Sequence, residues 1–260
     1  MKRLEAWPCE VGGAVRHMFA LACLESRGAD VVRVASTADG WALVVVHPGK
    51  VLVPCGDGEV IRAAGSPSRR WRLLVGDAGA SEPLLDSEGD GLIVHHQRFL
   101  TADDSHLPSA AAVPDPGLRR AVNADLDGLA RLAVRLHVDD QFGPDPGRAG
   151  LRGYRERMAQ SVAQGLVWVV GPVGAPVCKV ERSFTSRRYG VQLSGIVVAQ
   201  NERRRGLGTE AVAESVRRAM SDVPGRPVSL HVRAANAPAL AVYAAAGFTD
   251  REEWRLAVRP

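Results

Sequence analysis

The sequence predicts a mixed α/β fold, built on a mixed sheet and laid out in two parts. Three observations carry this. Short apolar runs rich in valine alternate with segments whose apolar residues recur every three or four positions, the periods of buried strands and amphipathic helices. Residues 101–117, TADDSHLPSAAAVPDPG, carry three prolines and no apolar period, which reads as a linker. The boundary is placed near 112–113, giving parts 1–113 and 114–260. Residues 191–219, VQLSGIVVAQNERRRGLGTEAVAESVRRA, read in succession as a strand, a cationic turn, a glycine corner and a helix.

Composition narrows the class. The apolar share of 46% and charged share of 24% are those of a globular protein with room for one large or two ordinary domains. The net charge of +4 comes almost wholly from arginine, since lysine occurs only as Lys2, Lys50 and Lys179. Acidic residues are interleaved with the basic ones, so no nucleic-acid partner is expected. Cys9, Cys23, Cys55 and Cys178 stand singly, without the paired spacing of a zinc site or a disulfide framework. Free thiols in the reducing cytoplasm are expected, with no metal. No apolar run approaches the roughly 20 residues of a membrane span. The run 18–24 follows Arg16 and His17 but has no clean exit, so a helix is expected there rather than a signal segment.

In the first part, residues 14–26 look helical. Residues 30–35, 41–47 and 50–54 look like strands, separated by Gly40 and by the Pro48-Gly49 turn. Residues 71–75 make another strand, 81–86 a short helix and 92–99 a last strand. His95 and His96 fall on opposite faces of that strand, one expected buried and one exposed.

In the second part, 118–122 is a short strand. Asn123 is placed as the cap of a helix with Leu126, Leu129, Leu132, Ala133 and Leu136 on one face. Residues 142–150 are a glycine- and proline-rich loop, and 151–164 a second helix. Strands follow at 166–170, 177–182 and 189–198, the first two joined by a turn at 171–174. The glycine corner opens a helix to Met220. Residues 228–232 form a strand, 238–246 a helix stopped by Gly247, and 248–258 the final strand or hairpin.

The corner has a physical use. The first amides of a helix lack intrahelical partners and carry the positive end of its dipole, so a diphosphate can accept from them. Gly206 and Gly208 leave the backbone bare, and Arg203, Arg204 and Arg205 add charge-assisted donors. Arg203-x-x-Gly206-x-Gly208 after an apolar strand resembles the acyl-CoA signature of the GNAT superfamily of N-acyltransferases. The segment 228–248, VSLHVRAANAPALAVYAAAGF, extends the resemblance with Asn236, Tyr243, Gly247 and Phe248. The element order β-α-α-β-β-β-α-β-α-β over 114–260 is similar to that fold throughout.

The resemblance implies an acetyl-CoA-dependent N-acetyltransferase acting on a primary amine, small molecule or protein, by direct attack in a ternary complex. It implies that Ile196, Val197, Val198, Arg203, Arg204, Arg205, Gly206, Leu207, Gly208 and Thr209 line the cofactor arm and diphosphate. Asn236, by its place a helix cap, contacts the arm as well. It makes Tyr243 the general acid on the departing thiolate, since a phenol of roughly pKa 10 donates without being ionised at neutral pH. The acceptor amine must lose a proton. Glu181 is the first candidate base, Asp139 and Asp140 the next, and His231 a further one. The first part offers no such motif. Its nearest glycine cluster, Cys55-Gly56-Asp57-Gly58, puts an aspartate where a diphosphate wants positive charge. It resembles the degenerate half of two-domain GNAT proteins, and one CoA per chain is expected. A non-catalytic acyl-CoA sensor is the alternative. The amine and the oligomeric state, a homodimer included, are not encoded legibly.

Overall fold

A computed structural model describes residues 13–25, 30–36, 40–47, 49–65, 71–88 and 91–259. Lys2, Cys9, Ser26 and Pro48, which enter the expectations above, lie outside the described residues. Two compact units result. One holds residues 1–99 with 233–235 and 251–260, the other 100–232 with 236–250. The division expected at 112–113 therefore differs in two ways: residues 100–113 go with the second unit, and the C-terminal strand goes with the first.

The first unit begins with α1 (Met18–Glu25), whose Met18, Ala20, Leu21 and Cys23 are buried. β1 (Asp30–Ser36), β2 (Trp41–His47) and β3 (Val51–Gly56) form an antiparallel meander. α2 (Gly58–Ala64) was not expected from the sequence. Its signals are local: the Asp57 carboxylate accepts from the amides of Glu59 and Val60, and Gly65 ends the helix. β4 (Leu73–Asp77) runs parallel to β3 and pairs with it only at Val51–Leu73 and Leu52–Leu74. α3 (Ala78–Asp86), capped by Asp77, follows. Next comes β5 (Ile93–Ala102), on which His95 is buried and His96 exposed as expected. The second partner of β4, on the side away from β3, is β11 (Thr249–Val258), antiparallel from Trp254–Asp77 to Val258–Leu73.

The second unit carries β6 (Arg119–Arg120), shorter than expected, then α4 (Leu126–Asp139) and α5 (Gly147–Ala163). β7 (Val167–Val170), β8 (Cys178–Ser186), β9 (Gly190–Val198) and β10 (Val228–Arg233) complete a sheet ordered β10-β9-β8-β7-β6. α6 (Leu207–Asp222) connects β9 to β10, and α7 (Ala237–Ala245) follows β10. The cap expected at Asn123 is not made. Asn123 opens a 3-10 turn, and it is the buried Asp125 carboxylate that accepts from the amides of Val122 (2.9 Å) and Gly174 (2.8 Å) and from the Arg119 fork (2.8 and 2.9 Å).

One core lies between the sheet and α6 and α7. It includes Cys178, Val180, Leu193, Val212, Val216, Leu230, Tyr243 and Phe248. A second lies under α4 and α5, with Leu129, Met158, Val167 and Val169. The stretch read as a linker is a strap on the second unit. Arg217 donates to the carbonyls of Pro108 (3.3 Å) and Val113 (2.5 Å), Arg218 pairs with Asp115 at 3.0 Å, and Leu107 and Val113 pack against the core. Most of its fixings are polar bonds from Arg217 and Arg218, with only Leu107 and Val113 packed on the core, which leaves no apolar period to read.

Candidate active site

The site grows out of a divergence between two strands. β10 pairs in parallel with β9 only at Val228–Val191 and Ser229–Gln192, while β9 runs on to Val198 along β8. Among the described residues no ladder continues on the β10 side beyond that point, so the backbone from Leu193 to Val198 has one open edge. The open stretch is bent. Between the pairs Lys179–Val197 and Glu181–Ser194, β9 uses one residue more than β8, and Gly195 takes φ +56°. A Cβ there would sit 2.8 Å from Lys179 Nζ and run into the Glu181 carboxylate, so glycine is required on both counts.

Beyond Val198 a 3-10 turn at Gln200–Glu202 leads into the corner. Gly206 is the N-cap of α6 at φ +85°, and no side chain caps the amides that follow. Leu207, Gly208 and Thr209 thus present the first turn of a 16-residue helix with its dipole uncompensated by a cap. Arg204 and Arg205 are exposed at the corner, and Arg205 pairs with Glu202 at 3.0 Å. Arg203 points the other way. Its Nε donates to the Val198 carbonyl at 2.9 Å and its Nη2 meets the Asp139 carboxylate at 2.6 Å.

α7 lies beside the corner, where a Cβ at Gly208 would touch Val242 at 3.7 Å. Asn236 caps it, accepting from the Ala239 amide at 3.3 Å. Tyr243 is buried in the core against Phe248, ring centroids 6.0 Å apart. Burial, with the negative charge of Asp140 and the Cys178 side chain nearby, pushes its phenol well above the ordinary value. The hydroxyl therefore stays a proton donor across the neutral range.

The model of the acetyltransferase (GNAT) family matches residues 137–248. Residues 137–248 are a GNAT domain. Solved structures extend the likeness of fold to most of the chain. A GCN5-related N-acetyltransferase from Kribbella flavida superposes with a TM-score of 0.55 at 16% identity, over 95% of this chain and 94% of that one. An acetyltransferase from the GNAT family from Colwellia psychrerythraea gives 0.54 at 12% identity, over 85% and 81%. No curated protein matches the chain. At these identities the likeness is one of fold.

Of the sequence motifs, the β9 edge, the corner and α7 meet at Gly208, where a Cβ would touch Val198 at 3.6 Å and Val242 at 3.7 Å; Asn236 caps α7, and Tyr243 on it is buried in the core. The candidate bases fare differently. Glu181 is buried, with one oxygen on the fully buried Lys179 and the other 3.4 Å from Arg157. Burial pushes the Lys179 ammonium down from its ordinary value, against the pull of Glu181. Cross-strand neighbours share a face, so this pair lies with Val167 and Val169 on the α4 and α5 side. Burial would raise the Asp139 carboxyl, but hydrogen bonds from Arg203 and Arg135 outweigh it and hold Asp139 below the ordinary value. His231 bonds Gln192 at 3.1 Å, and burial pushes its imidazole down to about 3. Both are poor proton acceptors. Sequence reasoning missed Lys179 and Arg157, which carry no motif and join Glu181 only through the β8 pleat and the α5 packing. Among the described residues no group of three potential metal ligands occurs, and no helix is long and apolar enough to cross a membrane.

Proposed function

We propose that the chain is an acetyl-CoA-dependent N-acetyltransferase that moves an acetyl group directly to a primary amine, and that it works in the cytoplasm. The observation that carries this is the open β9 edge running into an uncapped, arginine-flanked helix N-terminus inside a GNAT domain. The edge offers backbone groups at Ile196 and the Val198 amide to the cofactor arm, while the Val198 carbonyl is held by Arg203. The amides of Leu207, Gly208 and Thr209, with Arg204 and Arg205, suit the diphosphate. A backbone amide near Val198 steadies the oxyanion, and Tyr243 gives its proton to the leaving sulfur. Cys178 is no nucleophile, because burial pushes its thiol up to about 12. Transfer in a ternary complex then needs only positioning and proton management. Glu181 and Asp140 are the carboxylates left to receive the acceptor's proton. Comparing Glu181→Gln with Asp140→Asn distinguishes them, since only loss of the true base removes the acid limb of the rate profile.

The first unit repeats the order hairpin, helix, parallel strand, helix, strand, and its parallel pair also separates after two residue pairs. We take it as a degenerate copy. Its seat for an anion is filled, because Asp57 already accepts from the amides of Glu59 at 2.8 Å and Val60 at 3.2 Å. One cofactor per chain follows. The test is to incubate pure protein with acetyl-CoA and an amine library and to follow release of the CoA thiol. Release dependent on one amine class establishes the transferase. Tight binding without release by any amine would support a sensor instead.

A further inference from the structure

Arg203 opens the motif that the resemblance assigns to the diphosphate, yet its guanidinium is engaged elsewhere. Nε holds the carbonyl of Val198, the last residue of β9, at 2.9 Å. Nη2 holds Asp139, the last residue of α4, at 2.6 Å. The second oxygen of Asp139 lies 2.9 Å from Arg135, one turn back on α4. A guanidinium presents its five donors in one rigid plane, so the bonds from Nε and Nη2 fix its orientation, and turning the group toward a phosphate would release both partners. The backbone shows the same constraint. Arg204, the next residue, sits at φ +61°, a conformation that a residue with a Cβ keeps only where its surroundings fix it. On the α4 side, Asp140 follows Asp139 directly, and its charge is among those that raise the Tyr243 phenol.

We propose that Arg203 and Asp139 form a positioning pair that locks the end of β9 to the end of α4, and that Arg203 is not a phosphate ligand. The pair fixes the strand end facing the thioester and the turn carrying Asp140 as one piece. The inference rests on the acyl-CoA site proposed above, and it assigns the first arginine of the motif a different task from its neighbours.

The experiment compares two ligands and four variants of the full chain. CoA carries the diphosphate, and S-acetylpantetheine carries the same arm with no phosphate. Asp139→Asn, Arg203→Lys and the double variant should each weaken both ligands by a similar factor, roughly tenfold for a lost charge-assisted bond. The double variant should be no worse than the weaker-binding single one. Arg204→Gln should weaken CoA alone. If Arg203→Lys binds CoA as wild type does, the pair positions nothing that the cofactor needs, and if Arg203→Lys weakens CoA while leaving S-acetylpantetheine unchanged, Arg203 serves the phosphate; either result defeats the proposal. Hydrogen exchange on the unliganded proteins provides a readout free of any ligand. Amides 138–142 and 197–200 should exchange faster in each single variant and no faster still in the double one. Unchanged exchange in either segment overturns the lock. Wild type that binds neither ligand removes the acyl-CoA assignment, and the exchange result then decides the lock by itself.

Discussion

At the scale of single residues, groups that hold the fold stand apart from those that the proposed mechanism uses. Asp125 belongs to the first kind. Its side chain has no exposed surface, and the Arg119 fork, working against burial and helped by the Val122 and Gly174 amides, pulls its carboxyl down to about 2. Asp125→Asn should cost about 3 kcal/mol at neutral pH, as removal of one partner of a buried pair does. The sign of its pH dependence follows from a folded pKa below the unfolded one. The contribution is present above about pH 4 and is lost as pH falls toward 2. Urea melts of wild type and variant at pH 7, 4 and 2 should show the gap closing on acidification, and a widening gap would contradict the assignment. Tyr243, buried in the core, belongs to the second kind only in the proposed mechanism. Tyr243→Phe should lower turnover on the order of 10²–10⁴-fold while leaving CoA affinity nearly unchanged. Because the phenol is raised, it should impose no alkaline loss of rate below pH 10. The glycines of the corner, Asn236 and Tyr243 were legible because their spacing is local. The Arg203–Asp139 and Lys179–Glu181–Arg157 contacts were not, because they join residues from separate elements that no periodicity links.

At the scale of elements, the proposed site depends on where a strand stops pairing and where a helix starts uncapped. The bulge at Gly195 bends the open edge of β9, and its room is filled by the Lys179–Glu181 pair. Gly195→Ala combines a left-handed φ with a clash against that pair, so it should destabilise the second unit by more than the roughly 1 kcal/mol typical of a helix-interior glycine change. Thermal melting checks this, and a wild-type melting temperature would mean the bulge relaxes freely. The helices of the second unit were legible from apolar period, as α4 and α6 show. α2 was missed because seven residues are too few to display a period, although Asp57 and Gly65 mark both its ends. The 103–117 strap was misjudged for the complementary reason: polar and proline-rich composition says nothing of the Arg217 side chain that pins its carbonyls.

At the scale of the whole molecule, the chain does not part cleanly at its proline-rich stretch. β11 completes the sheet of the first unit beside β4, and Leu100 and Ala102 lie in the core of the second. A fragment 114–260 would keep β11 without β4 and lose those two core residues. It should be poorly soluble and uncooperative in melting, whereas a fragment that melts like the full chain would show the second unit to be self-sufficient. The sequence made the mixed-sheet class and the element order of the second half readable, because each strand and helix there has its own period. It did not reveal which unit the last strand joins, since pairing between Leu73–Asp77 and Trp254–Val258 joins residues far apart in sequence and leaves no local trace. The central claim is that one acetyl-CoA binds per chain, at the β9 edge and the corner that opens α6. Titration calorimetry of the full chain with acetyl-CoA tests it most directly, with Gly206→Glu as the matched variant that keeps its circular dichroism. The account predicts one equivalent bound by wild type and none by the variant. Two equivalents, or equal affinity in the two proteins, would contradict it.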